Sequence, residues 1–175
     1  MALKPTIFKA ELEIADTARS YYQTHTLTVA RHSSETDERL MVRLLAFARH
    51  AHEHLTFTEG LANADDPALW QKDLTGAIDL WIDLGQPDEK RILKSCGRAG
   101  QVVIYCYSSS ANIWWNALSP KLERAKNLSV FQIDPAGLAG LVERSMKLHC
   151  LVQEDQIWVT AGDETLQVEL TRLRD

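Results

Sequence analysis

The chain has 175 residues, of which 45% are hydrophobic, enough to bury a core without a disulfide or metal staple. Its net charge of −5 speaks against a protein that coats nucleic acid non-specifically, yet leaves room for a local basic groove and for small-molecule partners. Cys96, Cys106 and Cys150 are odd in number, lack CxxC spacing and sit among apolar neighbours, which predicts reduced core thiols, no cysteine-held zinc and a cytoplasmic setting. No apolar run approaches about 18 residues and Met1–Thr6 has no apolar core, so neither a membrane span nor a leader is expected.

One domain, residues 1–175, is expected, without internal repeat, low-complexity stretch or linker. Residues from about Thr6 to Ile14 and from about His25 to Ala30 alternate as strands do around the polar Asp16–Tyr22, predicting an amino-terminal hairpin with an elaborate connection. Ser34 followed by Asp37 resembles a capping box, and Leu40, Leu44, Phe47, Ala48, Ala51 and Leu55 follow at helical spacing as the longest helix. After the loop Glu59–Asp66 comes Gly76-Ala-Ile-Asp-Leu-Trp-Ile-Asp-Leu-Gly85. Its shortness, its Ile and Trp content and its bounding glycines favour a strand over a helix. That places Ile78, Leu80, Ile82 and Leu84 on one face and Asp79, Trp81 and Asp83 on the other.

Pro87-Asp-Glu opens a second helix that stops near Gly97 and Gly100, followed by a buried strand at Val102–Tyr107. Ser108–Ser110 caps a helix through Ile113, Trp114 and Leu118 that ends at Pro120, and a strand is expected at Leu128–Ile133. Asp134-Pro135 then opens a helix through about Met146, and Leu148–Val152, Gln156–Thr160 and Thr165–Leu170 form a small antiparallel meander.

Two carboxylates in one hydrophobic segment demand compensation, because a buried ionised acid costs several kcal/mol unless paired, hydrogen-bonded or bound to a metal. At about 3.3 Å per residue Asp79 and Asp83 stand about 13 Å apart on a regular strand, so one ion reaches both only if the strand bends, most readily near Gly85. Pairing with an arginine or capping of a turn explains each acid equally well. Glu38 adds a third acid at the edge of the long helix; the helix dipole and pairing with Arg39 or Arg43 are the plainer explanation. His50 and His54 stand four apart without the HExxH pattern or a third ligand. Lys90, Lys94 and Arg98 recur at helical spacing and Lys121, Arg124 and Lys126 crowd a later connection, as phosphate contacts or as a solvated face. Trp114 and Trp115 suit base stacking or a helix core.

The runs Ser33-Ser-Glu-Thr-Asp-Glu-Arg-Leu-Met-Val-Arg-Leu-Leu-Ala46, Asp73–Ile92 with its Asp-Leu-Trp-Ile-Asp-Leu-Gly-Gln-Pro-Asp-Glu core, Asn112-Ile-Trp-Trp115 and Asn127-Leu-Ser-Val130 resemble the bacterial YaeQ family across essentially the whole chain. That resemblance implies an α/β fold of the restriction-endonuclease-like kind, a mixed sheet flanked by helices with an amino-terminal hairpin and carboxyl-terminal antiparallel strands. It implies kinship with PD-(D/E)XK nucleases through a variant motif. On that pattern Glu38 is the helix acid, Asp79 and Asp83 are the sheet acids, and Gln86 replaces the lysine that orients water, with Mg²⁺ or Mn²⁺ as the metal and nucleic acid as a partner. The customary lysine is missing, since Trp81 or Gly85 stands in its place, and Asp65-Asp-Pro67 reverses the usual Pro-Asp order. A binding or regulatory module without catalysis, on the same scaffold, is therefore the alternative.

Overall fold

The computed structural model describes residues 4–175; residues 1–3, in the opening segment expected to lack an apolar core, lie outside the described residues. Ten strands form one sheet: β1 (Thr6–Asp16), β2 (Tyr21–Arg31), β3 (Leu55–Phe57), β4 (Leu69–Lys72), β5 (Ile78–Leu84), β6 (Ala99–Cys106), β7 (Leu128–Ile133), β8 (Ser145–Gln153), β9 (Gln156–Ala161) and β10 (Glu164–Arg174). Three helices accompany it: α1 (Asp37–His50), α2 (Glu89–Arg98) and α3 (Ala111–Leu118). The spatial order is β2-β1-β8-β9-β10-β7-β6-β5-β4-β3. β1 runs parallel to β8, and β5, β6 and β7 run parallel to one another, while the remaining neighbours are antiparallel.

Parallel strands covered on both faces must be apolar on both faces. β6 meets this demand by alternation: Val103 and Tyr105 join an inner core with α1, whereas Val102, Ile104 and Cys106 join an outer core with Ile92 of α2 and Trp115 of α3. β5 alternates likewise, with Leu80 and Ile82 inward and Trp81 outward. Within α1 every residue from Leu40 to Ala48 is buried, which no helix lying on one side of a flat sheet can achieve. The sheet curls round it into a nearly closed barrel. Phe47 of α1 contacts His25 of edge strand β2 and Phe57 of edge strand β3, at ring-centroid distances of 5.1 and 5.5 Å, so both edges lean on the same helix.

The mixed α/β sheet, the amino-terminal hairpin and the carboxyl-terminal meander follow the sequence expectation, but several details do not. α1 is enclosed by the sheet instead of flanking it. The hairpin joins through only Thr17–Ser20, not an elaborate connection. α1 is capped by Thr36, whose side chain accepts from the Arg39 amide at 3.1 Å, and it stops at His50, leaving Leu55 to β3. No helix runs from Asp134 to Met146: Gly137, at φ +82°, limits the helical part to a 3-10 turn at Leu138–Leu141. Met146 instead begins the buried row of β8, where exposed and buried residues alternate with the period of two that a strand demands.

Candidate functional site

The carboxyl ends of β5, β6 and β7 lie side by side, and open α/β sheets place ligands at such an edge. Asp83 stands one residue before the end of β5 and is 4% exposed. Both of its oxygens are occupied. Arg91 Nε donates to Oδ2 at 2.9 Å and Arg91 Nη2 to Oδ1 at 3.0 Å, a bidentate, charge-assisted pair. Asp88 caps α2 by accepting from the Arg91 amide at 2.8 Å, which fixes where that side chain leaves the helix. Arg91 also donates to the carbonyls of Ala64 and Asp66, so one guanidinium ties β5, α2 and the loop before β4 together. Hydrogen bonding to Asp83, reinforced by its charge, raises the Arg91 pKa further above the ordinary arginine value.

Gly85, at φ +95°, turns the chain out of β5 while its amide donates to the Tyr105 carbonyl at 2.9 Å. Gln86 follows, exposed, and its Nε2 donates to Ser110 Oγ at 3.1 Å; that hydroxyl lies 2.9 Å from Ser108 Oγ. Asp83 and Gln86 line one cavity of about 330 Å³, together with Arg39, Asp66 and Arg91. Glu38, partly buried, lines a second cavity of about 710 Å³ with Tyr107, Ser108, Asp134 and Glu169. Asp79 lines neither. Contrary to the expectation of a buried residue, it is exposed at the start of β5, near the solvated hairpin tip where Leu74 is 93% exposed. Among the described residues no group of three or more His, Cys, Asp or Glu side chains is placed to hold a metal. His50 and His54 do not converge: His50 bonds to the Tyr105 hydroxyl, and His54 Nε2 lies 3.4 Å from Glu53.

Arg39 and Arg43, offered by the sequence as partners for Glu38, pair with Glu35 instead. Arg43 Nη2 donates to Glu35 Oε1 at 2.6 Å and to the Ala30 carbonyl at 3.0 Å, and Arg39 Nη1 donates to Glu35 Oε2. Burial lowers the Arg43 pKa against the opposing pull of the Glu35 charge. The spacing Glu35, Arg39, Arg43 carries the signal, since residues four apart share a helix face and this triplet spans the start of α1.

The outer layer also carries exposed positive charge. Lys90, Lys94 and Arg98 of α2 are exposed, as are Lys121, Arg124 and Lys126 in the connection after α3. Asn127 Nδ2 donates to the carbonyls of Cys96 and Ala99 at 3.0 and 2.9 Å, holding that connection against the end of α2. Among the described residues the ion pair within this group is Lys121 with Glu89, at 3.9 Å. Trp114 and Trp115 serve the outer core instead of a stacking platform: Trp115 is 6% exposed, and Trp114 Nε1 donates to the Pro87 carbonyl at 3.0 Å.

A family model described as "YaeQ protein" matches residues 1–170. The chain belongs to the YaeQ family. It is 44% identical over 175 residues to the "Uncharacterized protein YaeQ" of Salmonella typhi, covering 98% of this chain and 97% of that protein. The Escherichia coli (strain K12) protein of the same description is 43% identical with the same coverage. The crystal structure of the YaeQ protein from Xanthomonas axonopodis pv. citri superposes with a TM-score of 0.94 at 41% identity, over 97% of this chain and 98% of that one. The YaeQ protein of Pseudomonas syringae superposes at 0.93 with 33% identity, over 98% and 97%. Family membership and the mixed α/β barrel agree, and these relatives' descriptions name no activity.

Proposed function

We propose that this YaeQ protein is a cytoplasmic nucleic-acid-binding module that grips a phosphodiester backbone along its outer layer, on a scaffold akin to the PD-(D/E)XK nucleases. The observation that carries this reading is the basic face: exposed cations on α2 and on the adjoining 119–127 connection, of which only Lys121 faces a carboxylate among the described residues, at 3.9 Å. Phosphate contacts by such side chains bind without reading sequence and position the duplex or strand. The overall charge of −5 confines the interaction to this face.

A second reading, phosphodiester hydrolysis aided by Mg²⁺ or Mn²⁺, is favoured by Glu38, Asp83 and Gln86 standing at one sheet edge in cavities joined by the Gln86–Ser110–Ser108 contacts. The residues do not fit a ready-made metal centre: Asp83 spends both oxygens on Arg91, and Asp79 stands apart. The two readings separate on labelled single-stranded and duplex DNA and RNA with and without Mn²⁺. The binding module retains substrate uncleaved, and Asp83→Asn leaves its affinity unchanged. Cleavage that needs Mn²⁺ and disappears in Asp83→Asn establishes the hydrolase instead.

A further inference from the structure

Near the carboxyl end of α1 a cavity of about 360 Å³ takes guanidinium groups from three separate elements: Arg19 from the β1–β2 turn, Arg49 from the last turn of α1, and Arg172 from β10. Phe131 of β7 backs two of them, with its ring centroid 4.3 Å from the Arg49 guanidinium carbon and 5.5 Å from that of Arg172. Asp16 and Glu154 also line the space. Asp16 is committed locally, accepting from Arg19 Nε at 2.7 Å and from the Arg19 amide at 3.1 Å. Arg49 Nη1 donates to the Tyr105 hydroxyl at 2.8 Å, and His50, on the cavity wall, bonds to that same hydroxyl. Burial, then the charges of Arg49 and Arg19, push His50 down to about 3, so the imidazole is neutral and adds no charge at neutral pH.

Arg172 spends Nε on Asp155, at 2.9 Å to each oxygen, and Nη1 on Asp175 at 2.6 Å. Arg19 spends Nη1 on the Ala51 carbonyl at 2.9 Å. Arg49 Nη2 donates to the Glu154 carbonyl and lies beside Asp155, each at 3.5 Å, so three donors remain without a hydrogen-bond partner among the described residues: Arg19 Nη2, Arg49 Nε and Arg172 Nη2. Planar guanidinium groups suit tetrahedral oxyanions, and the volume falls within the range of small-molecule sites, larger than a bare phosphate needs. We propose that this cavity binds a phosphate monoester, the phosphoryl group held among Arg19, Arg49 and Arg172 and the organic part against Val103, Phe131 and Val152. The site lies apart from the basic outer face and does not depend on it.

Calorimetric titration of the full chain at constant ionic strength, with inorganic phosphate and with ribose 5-phosphate, tests this directly. Both probes are expected to bind saturably, ribose 5-phosphate more tightly. Arg19→Gln and Arg172→Gln, both partly exposed, are each expected to weaken binding about tenfold, the effect of one charge-assisted hydrogen bond. Thermal melts check that both variants fold, and a Lys90→Glu, Lys94→Glu chain serves as a control whose affinity for either probe stays unchanged. The proposal is overturned by absence of saturable binding, by no gain of ribose 5-phosphate over phosphate, or by equal affinity in the folded arginine variants.

Discussion

Asp83 shows how one side chain can satisfy two descriptions at the level of sequence and one at the level of structure. A carboxylate in an apolar strand needs a cation, and Arg91 supplies it with two parallel hydrogen bonds across a partly solvated boundary. Removing only the cation strands a buried charge, so Arg91→Leu is expected to cost about 3–5 kcal/mol in urea unfolding. Replacing both partners, with Asp83→Leu added, is expected to recover much of that loss. His50 provides a pH signature at the same scale. Its folded pKa is depressed to about 3, so its contribution is complete above the unfolded value of 6.5 and is lost as pH falls toward 3. Between those limits stability is expected to decline by roughly 1 kcal/mol per pH unit relative to a His50→Gln chain. Parallel urea midpoints for the two chains across that range would show no such relative slope if His50 titrates normally.

At the scale of elements, local chemistry explains both what was legible and what was not. A strand with strict alternation could be read directly, as β1 shows, whereas β5 was legible from its Ile and Trp content and bounding glycines. The segment after Asp134-Pro135 misled because Pro at a helix start is a strong local signal, while the left-handed Gly137 and the pairing of β8 with β1 and β9 act against it. β3 and β4 are too short, at 3 and 4 residues, to show a period at all. Two boundaries position the sheet edge and can be tested. Thr36→Ala removes the α1 cap and is expected to cost about 1 kcal/mol in chemical unfolding. Gly85→Ala meets no atom within 4 Å, so its expected cost of about 1–2 kcal/mol comes from backbone conformation alone, read by the same unfolding assay.

For the whole molecule, a curled sheet around one helix sends the chain's charges to different places. Inside, Arg39 and Arg43 share the Glu35 carboxylate, and at the edge Asp83 pairs with Arg91; outside, α2 and the 119–127 connection keep exposed cations. The sequence offered the residue types for each role without the partners: Glu35 precedes α1 and reaches Arg39 and Arg43 from just outside the helix, whereas Gln86 meets Ser110 only because β5 and β6 lie side by side. Only the closed geometry sorts structural acids from available cations. The most direct test of nucleic-acid binding on the outer face is the salt dependence of oligonucleotide affinity, measured by fluorescence polarisation for the natural chain and for Lys90→Glu, Lys94→Glu. Loss of two phosphate contacts is expected to lower affinity and to flatten the plot of log K against log salt by about 2. An unchanged slope and affinity in the folded variant would contradict the account.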